Sequence, residues 1–292
     1  MSSLGAYSIV AHDTDVDGCQ VLHICLGALY LKGAPRRGAL SSRAWPQVES
    51  ALRRSATCLS GAWRALDATH LYAEATTLQE PNLLAWAEDN ADRFLTPAMP
   101  GYPLLWLRRL GAGAPPALWC YGDMPVTSMI AIVGSRCIEA DVSRFAEDLG
   151  AEASRLGYAV VSGGAIGCDR AGVRRAVSAL EILPHGDHLG EMSSLTVCPP
   201  GTPFTVANAM ERNALIYAAA ERAVIVHARY REGGTWTGAI EAHRRRRCPM
   251  VVRQDQDSPA HRALIGLGMI PLTLPADLSL ALQHPGPQTS LL

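Results

Sequence analysis

Lysine is almost missing from this chain of 292 residues. Of the 26 lysines and arginines, all but Lys32 are arginines. That excludes a Walker A lysine or a Schiff-base lysine anywhere in the glycine-rich second half. Cationic work there falls to arginine, whose planar fork suits bidentate phosphate contacts and stacking on bases. An excess of either charge is also lacking, because the formal net charge is -1. From Met129 onward, 16 arginines face 16 acidic residues. No global basic field exists, so any polyanion site must arise by local clustering. Eight cysteines are scattered without a C-x-x-C pair, which points to a reduced intracellular protein and away from a disulfide scaffold or zinc ribbon. No apolar run reaches the ~20 residues of a membrane span. The opening residues lack the basic and apolar regions of a secretion signal, so a cytoplasmic protein is expected. No cofactor or metal motif stands out, and none is expected.

What the chain does hold is a set of glycine-rich turns behind apolar runs. Met129-Ile130-Ala131-Ile132-Val133 leads into Gly134-Ser135-Arg136. Tyr158 to Val161 leads into Ser162-Gly163-Gly164-Ala165-Ile166-Gly167-Cys168-Asp169. Ala223 to Ala228 is followed by Gly233-Gly234-Thr235-Trp236-Thr237-Gly238. A glycine where a buried strand hands over to a helix lets the backbone approach a ligand. The helix N-terminus then offers N–H groups and partial positive charge to a phosphate.

The rest of the pattern fits around these turns. Strands are expected at 129–133, 158–162, 180–183, 194–198, 223–228 and 249–252. Helices are expected at 141–156, 170–177, 208–219 and 236–246. Such alternation predicts an α/β, Rossmann-like, mostly parallel sheet with helices on both faces. Ligands in such sheets sit at the carboxyl ends of the strands, where all three turns fall. The first hundred residues read as helical, over 20–31, 45–59, 62–72 and 81–94. Three prolines and a glycine between Thr96 and Pro103 mark a boundary. The expected division is a helical N-terminal domain over 1–96, a linker over 97–128 and the Rossmann-like domain over 129–292.

Taken in order, these residues resemble the DNA-processing protein A (DprA/Smf) family, within the wider SLOG group of Rossmann-like proteins. Tyr102-Pro103, Leu110, Pro115-Pro116, Leu118 and Gly122 resemble the segment that leads into that family's core. Residues 130–136 and 161–169 are similar to its first two strands and loops. Pro199-Pro200-Gly201-Thr202-Pro203, Arg212-Asn213 and Ile216 are similar to a later segment, and Gly234-Thr235, Ala239 and Ala242 to its last glycine turn. Pro184-His185-Gly186-Asp187-His188 and Val197-Cys198 depart from the family pattern, which marks a divergent member. The resemblance implies a single-stranded DNA-binding protein that forms a homodimer and loads the recombinase RecA, in natural transformation or a defence-related role. It implies that Gly134, Ser135 and Arg136 hold the DNA backbone.

The full candidate site is Gly134, Ser135, Arg136, Ser162, Gly163, Gly164, Arg170, Arg174, Arg212, Gly233, Gly234 and Thr235. Arg170 and Arg174 share a helix face at i, i+4. Trp236 is either a base-stacking residue or a packing residue. Arg244 to Arg247 reads as a solvated helix end, since four consecutive residues point all around the axis. Asp13 to Gly18 mimics the start of a calcium loop but puts Ile24 where glutamate is needed, so an acidic helix cap is the reading there. His185 and His188 lack a third metal ligand.

Two alternatives stay open. One is a SLOG-type nucleotide sensor. The other is a nucleoside monophosphate phosphoribohydrolase of the LOG type, because Arg212, Gly233-Gly234-Thr235 and Glu241 are reminiscent of its arginine and P-G-G-x-G-T-x-x-E motif. Here the proline is absent, Trp236 replaces a glycine and Glu241 falls one place late. No catalytic residue is therefore assigned, and an enzyme is not expected.

Overall fold

The computed structural model describes residues 93–96, 101–115, 117–186, 192–198 and 200–284. The helices expected at 20–31, 45–59 and 62–72, most of that at 81–94, and Asp13 to Gly18 lie outside these residues. The chain divides into two compact units at Tyr121/Gly122, with Thr196–Pro199 belonging to the first.

In the first unit, β1 (Phe94–Leu95) pairs antiparallel with β2 (Leu118–Tyr121), with Phe94 opposite Trp119. Phe94 is therefore a strand residue and not the end of a helix. The stretch expected to be a linker contains β2 and α1 (Leu104–Leu110). Trp106 on α1 is fully buried, with Tyr102 packed edge-on at 5.7 Å. The Tyr102 hydroxyl donates to the Pro115 carbonyl at 2.6 Å, so the proline-rich corner is pinned.

The second unit alternates strands and helices, as the apolar pattern predicts. It runs β3 (Met129–Gly134), α2 (Ala140–Arg155), β4 (Ala159–Ser162), α3 (Cys168–Arg174), β5 (Ala179–Leu183) and β6 (Ser194–Thr196). It continues with α4 (Val206–Ala219), β7 (Arg222–His227), α5 (Gly233–Arg244), β8 (Met250–Arg253), α6 (Pro259–Gly266), β9 (Ile270–Leu272) and α7 (Leu278–Gln283). Strand order is β6-β5-β4-β3-β7-β8-β9. Adjacent pairs from β5 through β9 are parallel. Order therefore reverses between β3 and β7, which opens a crevice beyond their carboxyl ends.

The core follows strand alternation. Ile130, Ile132, Val160, Val224, Val226 and Val251 point to one face, where α2, α3 and α7 cover them. On α2 the buried residues Val142, Ala146, Leu149, Gly150 and Ala153 recur at helical spacing and make that contact. The helix stops at Gly157, whose φ of 83° suits glycine, and Tyr158 N–H closes back on the Ala153 carbonyl at 2.9 Å. Thr205 caps α4 by accepting the Asn208 N–H, and Ser258 caps α6 with Pro259 in its first turn.

Most element ends fall within two residues of expectation, and the differences have local causes. Helix α3 stops at Arg174, short of Val177, because the Val177 N–H turns to the Ser154 hydroxyl at 2.9 Å. Strand β6 stops at Thr196, short of Cys198, whose N–H bonds the Thr196 hydroxyl at 3.0 Å. Helix α5 begins at Gly233, three residues before Trp236, so the third glycine turn is itself the first turn of the helix.

Helices α2 and α3 touch backbone to backbone. A Cβ at Gly150 would stand 2.0 Å from the Gly172 carbonyl oxygen, whereas one at Gly266 meets nothing within 4 Å. Gly150→Ala is expected to cost about 1–3 kcal/mol by overpacking. Gly266→Ala is expected to be neutral or to gain up to ~1 kcal/mol from helix propensity. Urea melts of the two variants check this; equal stabilities would contradict it.

Candidate functional site

The first two glycine turns are locked together. A Cβ at Gly134 would lie 2.4 Å from Cys168 Sγ, and one at Gly167 would lie 2.3 Å from the Ser135 carbonyl oxygen. Only glycine fits either position, and Gly167 also has a φ of 86°. The Cys168 N–H donates to the Ser135 carbonyl at 3.1 Å. Burial pushes the Cys168 thiol up to about 12, so it stays protonated and packs as a small apolar group.

Asp169 follows Cys168 on α3 and is buried. Its carboxylate accepts backbone N–H groups from Ala165, Gly134 and Gly163, which belong to both turns. Arg212 of α4 is also buried and donates to the carbonyl of Gly163 at 2.6 Å and to that of Ile182. Burial raises the Asp169 carboxyl to about 6, against the pull of the Arg212 guanidinium and the three N–H groups. An acid and a base of the chain thus occupy the donors and acceptors of the first two turns.

Beside this knot lies a cleft of about 400 Å³. Gly134, Ser135, Arg136 and Cys137 form one wall, and Arg229, Glu232, Gly233, Gly234 and Thr235 another. Helix α4 supplies Arg212, Asn213 and Tyr217, and the loop before it supplies Phe204. A register shift between β3 and β7 at Val133/Gly134 turns the first loop toward the third. The Ser135 N–H and hydroxyl both donate to the His227 carbonyl, at 3.1 and 3.5 Å, and Ser135 and the exposed Arg136 line the cleft. The Arg136 guanidinium lies 5.4 Å from the centroid of the half-exposed Phe204 ring.

Seven of the twelve candidate residues line this cleft: Gly134, Ser135, Arg136, Arg212, Gly233, Gly234 and Thr235. Five do not. Ser162 is buried and donates to the Ile132 carbonyl at 2.8 Å, tying β4 to β3. Gly163 sits under Asp169 and Arg212, and Gly164 against Glu181 and Leu183. Arg174 pairs with Glu147 of α2 at 2.5 Å. Arg170 is exposed on α3. Trp236 packs edge-on to Tyr230 at 5.1 Å. Arg245 pairs with Glu241 at 3.0 Å on the solvent side of α5, and the helix ends at Arg244. Among the described residues no group of three His, Cys, Asp or Glu is placed to hold a metal. Sequence reasoning did not assign Asp169, Phe204 or Arg229 to the site. Asp169 stood within the quoted motif, but its contacts with Gly134 and Arg212 are long-range; Phe204 and Arg229 lie just outside the quoted turns.

The raised Asp169 carboxyl makes a pH prediction. The folded protein holds this proton up to about pH 6, whereas the ordinary value is 3.8. Folded protein binds more protons between those values, so stability contributed by this group falls as pH rises through that window. The fall is expected to be roughly 3 kcal/mol. Urea melts between pH 4 and pH 6.5 should show the wild type losing its margin over Asp169→Asn. Two parallel stability curves would contradict it.

Comparison with known proteins finds similarity to one family. Residues 93–186 match the model for DNA recombination-mediator protein A. Two Mycobacterium tuberculosis proteins, from strains CDC 1551 and H37Rv, carry the DNA processing protein DprA name. Each is 32% identical over 178 residues, covering 50% of this chain and 46% of the relative. The chain thus spans about half the length of the curated relatives it matches. DprA from Streptococcus pneumoniae superposes with a TM-score of 0.64 at 15% identity, covering 93% of this chain and 100% of that one. DNA processing protein A from Helicobacter pylori, described for its single-stranded DNA binding mode, superposes with a TM-score of 0.52 at 20% identity, covering 57% and 86%. Both superpositions bear out the Rossmann-like fold. With the glycine turns in the expected places on that fold, residues 93–186 carry the match to the DNA recombination-mediator protein A (DprA) family.

Proposed function

We propose that this protein binds single-stranded DNA by its backbone, in the cleft between the β3 and β7 loops, and acts in DNA recombination. One observation carries the reading. Arg136, Ser135 and the first turn of α5 at Gly233, Gly234 and Thr235 line one cleft at the switch point of the sheet. A 12-residue helix directed at that cleft offers partial positive charge at its N-terminus, and Arg136 adds a full one. The H. pylori relative, described for binding single-stranded DNA, supports the same reading. Gly163, Gly164, Ser162 and Arg212 then hold the floor of the site, and Arg170 and Arg174 lie outside its path.

Loading of a RecA-type recombinase, a homodimeric state and a cytoplasmic location complete the proposal and rest on the family resemblance. No helix among the described residues is long and apolar enough to cross a membrane. Residues 1–96 are proposed to specify the partner, apart from the phosphate site. A pull-down of RecA and size-exclusion light scattering of the full chain test the first two claims.

The site is proposed to bind and not to turn over nucleotides. Glu241, the acid that the phosphoribohydrolase motif would supply, pairs with Arg245 and does not line the cleft. No free base is expected from nucleoside monophosphates incubated with the protein. Steady release that is lost in Glu241→Ala would overturn this.

The binding prediction is specific. Single strands should bind more tightly than duplex, with affinity falling as salt rises. Arg136→Ala should lower the slope of log affinity against log salt by about 0.7, the value for one phosphate contact on a single strand. Arg174→Ala should leave it unchanged. Anisotropy titrations at several salt concentrations decide. Equal affinity for duplex, or tight mononucleotide binding without strand binding, would favour the nucleotide-sensor alternative.

A further inference from the structure

The tight turn after β7 carries a feature that the cleft does not use. The Glu232 N–H closes the turn on the Arg229 carbonyl at 3.2 Å, and the two side chains pair at 3.5 Å. Both residues line the cleft, so the turn that joins them borders it. Between them stand Tyr230 and Arg231. Tyr230 is 44% exposed, a large ring left in solvent on a short turn. It is not loose, because its ring rests edge-on against Trp236 of α5 at 5.1 Å. The Arg231 guanidinium lies 5.1 Å from the Tyr230 ring centroid. Arg231 adopts φ 59°, one of two non-glycine residues with positive φ among the described residues. That backbone is one that residues other than glycine seldom adopt.

The arrangement repeats one already on the cleft wall. Phe204 is 46% exposed and carries Arg136 beside its ring, as Tyr230 carries Arg231. An exposed aromatic with an arginine resting against it suits one nucleotide. A phosphate draws the guanidinium away, and the freed ring face accepts the base. Two such pairs border the first turn of α5.

We infer that Tyr230 and Arg231 form a second nucleotide subsite, in which a base of single-stranded DNA stacks on Tyr230 and the adjoining phosphate pairs with Arg231. This extends the strand beyond the cleft and across the N-terminus of α5, and it rests on the single-stranded DNA reading above. It also accounts for preference against duplex, since a paired base has no face free for the ring.

The test uses the full chain and oligodeoxyadenylates of increasing length, some with one abasic nucleotide at successive positions. Tyr230→Ala is expected to weaken long oligomers about five- to a hundredfold, the range for one stacked base, and to leave the shortest bound oligomer unchanged. Tyr230→Phe keeps the ring and should bind as wild type. In wild type one abasic position should be costly, and in Tyr230→Ala that position should cost nothing more. Arg231→Gly, which suits the positive φ, should fold at least as well and lower the salt slope. Wild type that binds single strands and loses them in Arg136→Ala, yet is indifferent to Tyr230→Ala, sinks the subsite and leaves the cleft reading standing. A loss in Tyr230→Ala without an abasic-sensitive position also sinks it, as does loss of a protein partner with DNA affinity intact. Failure of wild type to bind any single strand overturns the functional reading itself.

Discussion

One buried carboxylate organises the functional end of this sheet. Asp169 gathers N–H groups from Gly134, Gly163 and Ala165, and so fixes two strand exits in one geometry. A buried acid is costly unless its lone pairs are met. Three backbone donors and a neighbouring guanidinium meet that cost here, while burial still lifts the carboxyl to about 6. The glycines are consequences of this knot. Gly134 and Gly167 lack a Cβ because each loop is pressed against the other.

The knot also decides which positive groups remain for a ligand. Donors in the first two turns that could hold a phosphate already hold Asp169. Arg212 is committed to the Gly163 and Ile182 carbonyls, Arg174 to Glu147 and Arg175 to Asp148. What faces the cleft is Arg136, the Arg229–Glu232 pair and the first turn of α5. In a chain with net charge -1, the cationic character of this crevice thus comes from Arg136 and the α5 N-terminus.

Much of the fold was legible because its signals are local. Buried strands such as Met129 to Val133 and Ala223 to Val226 are short, continuous apolar runs, and glycine follows them at each exit. The gathering of Gly134, Arg136 and Gly233 into one cleft was legible from fold logic, since parallel strands bring their exits to one edge. The roles of individual residues were less so. Ser162 and Gly163 have the composition of a phosphate loop, yet their groups are spent inside the protein on Ile132, Asp169 and Arg212. Arg174 has the right charge on a helix face that turns to Glu147 of α2. The Ile132, Arg212 and Glu147 partners lie 27 to 49 residues away in sequence, and no periodicity encodes them. Phe204 and Tyr230 were invisible for another reason: each is a single aromatic in a loop, and only the fold places Arg136 against Phe204 and Trp236 against Tyr230.

Cys137 offers the most direct measurement of the central claim that a single strand lies in the β3–β7 cleft. It is exposed, follows Arg136 and lines the cleft, whereas Cys120, Cys168, Cys198 and Cys248 are buried. The rate of iodoacetamide alkylation at Cys137, followed by peptide mass spectrometry with and without saturating single-stranded DNA, reports occupancy of that wall. The account predicts that the strand slows alkylation at Cys137 and that Arg136→Ala at the same strand concentration removes the protection. Unchanged alkylation of Cys137 while the strand is demonstrably bound would place the DNA elsewhere and contradict it.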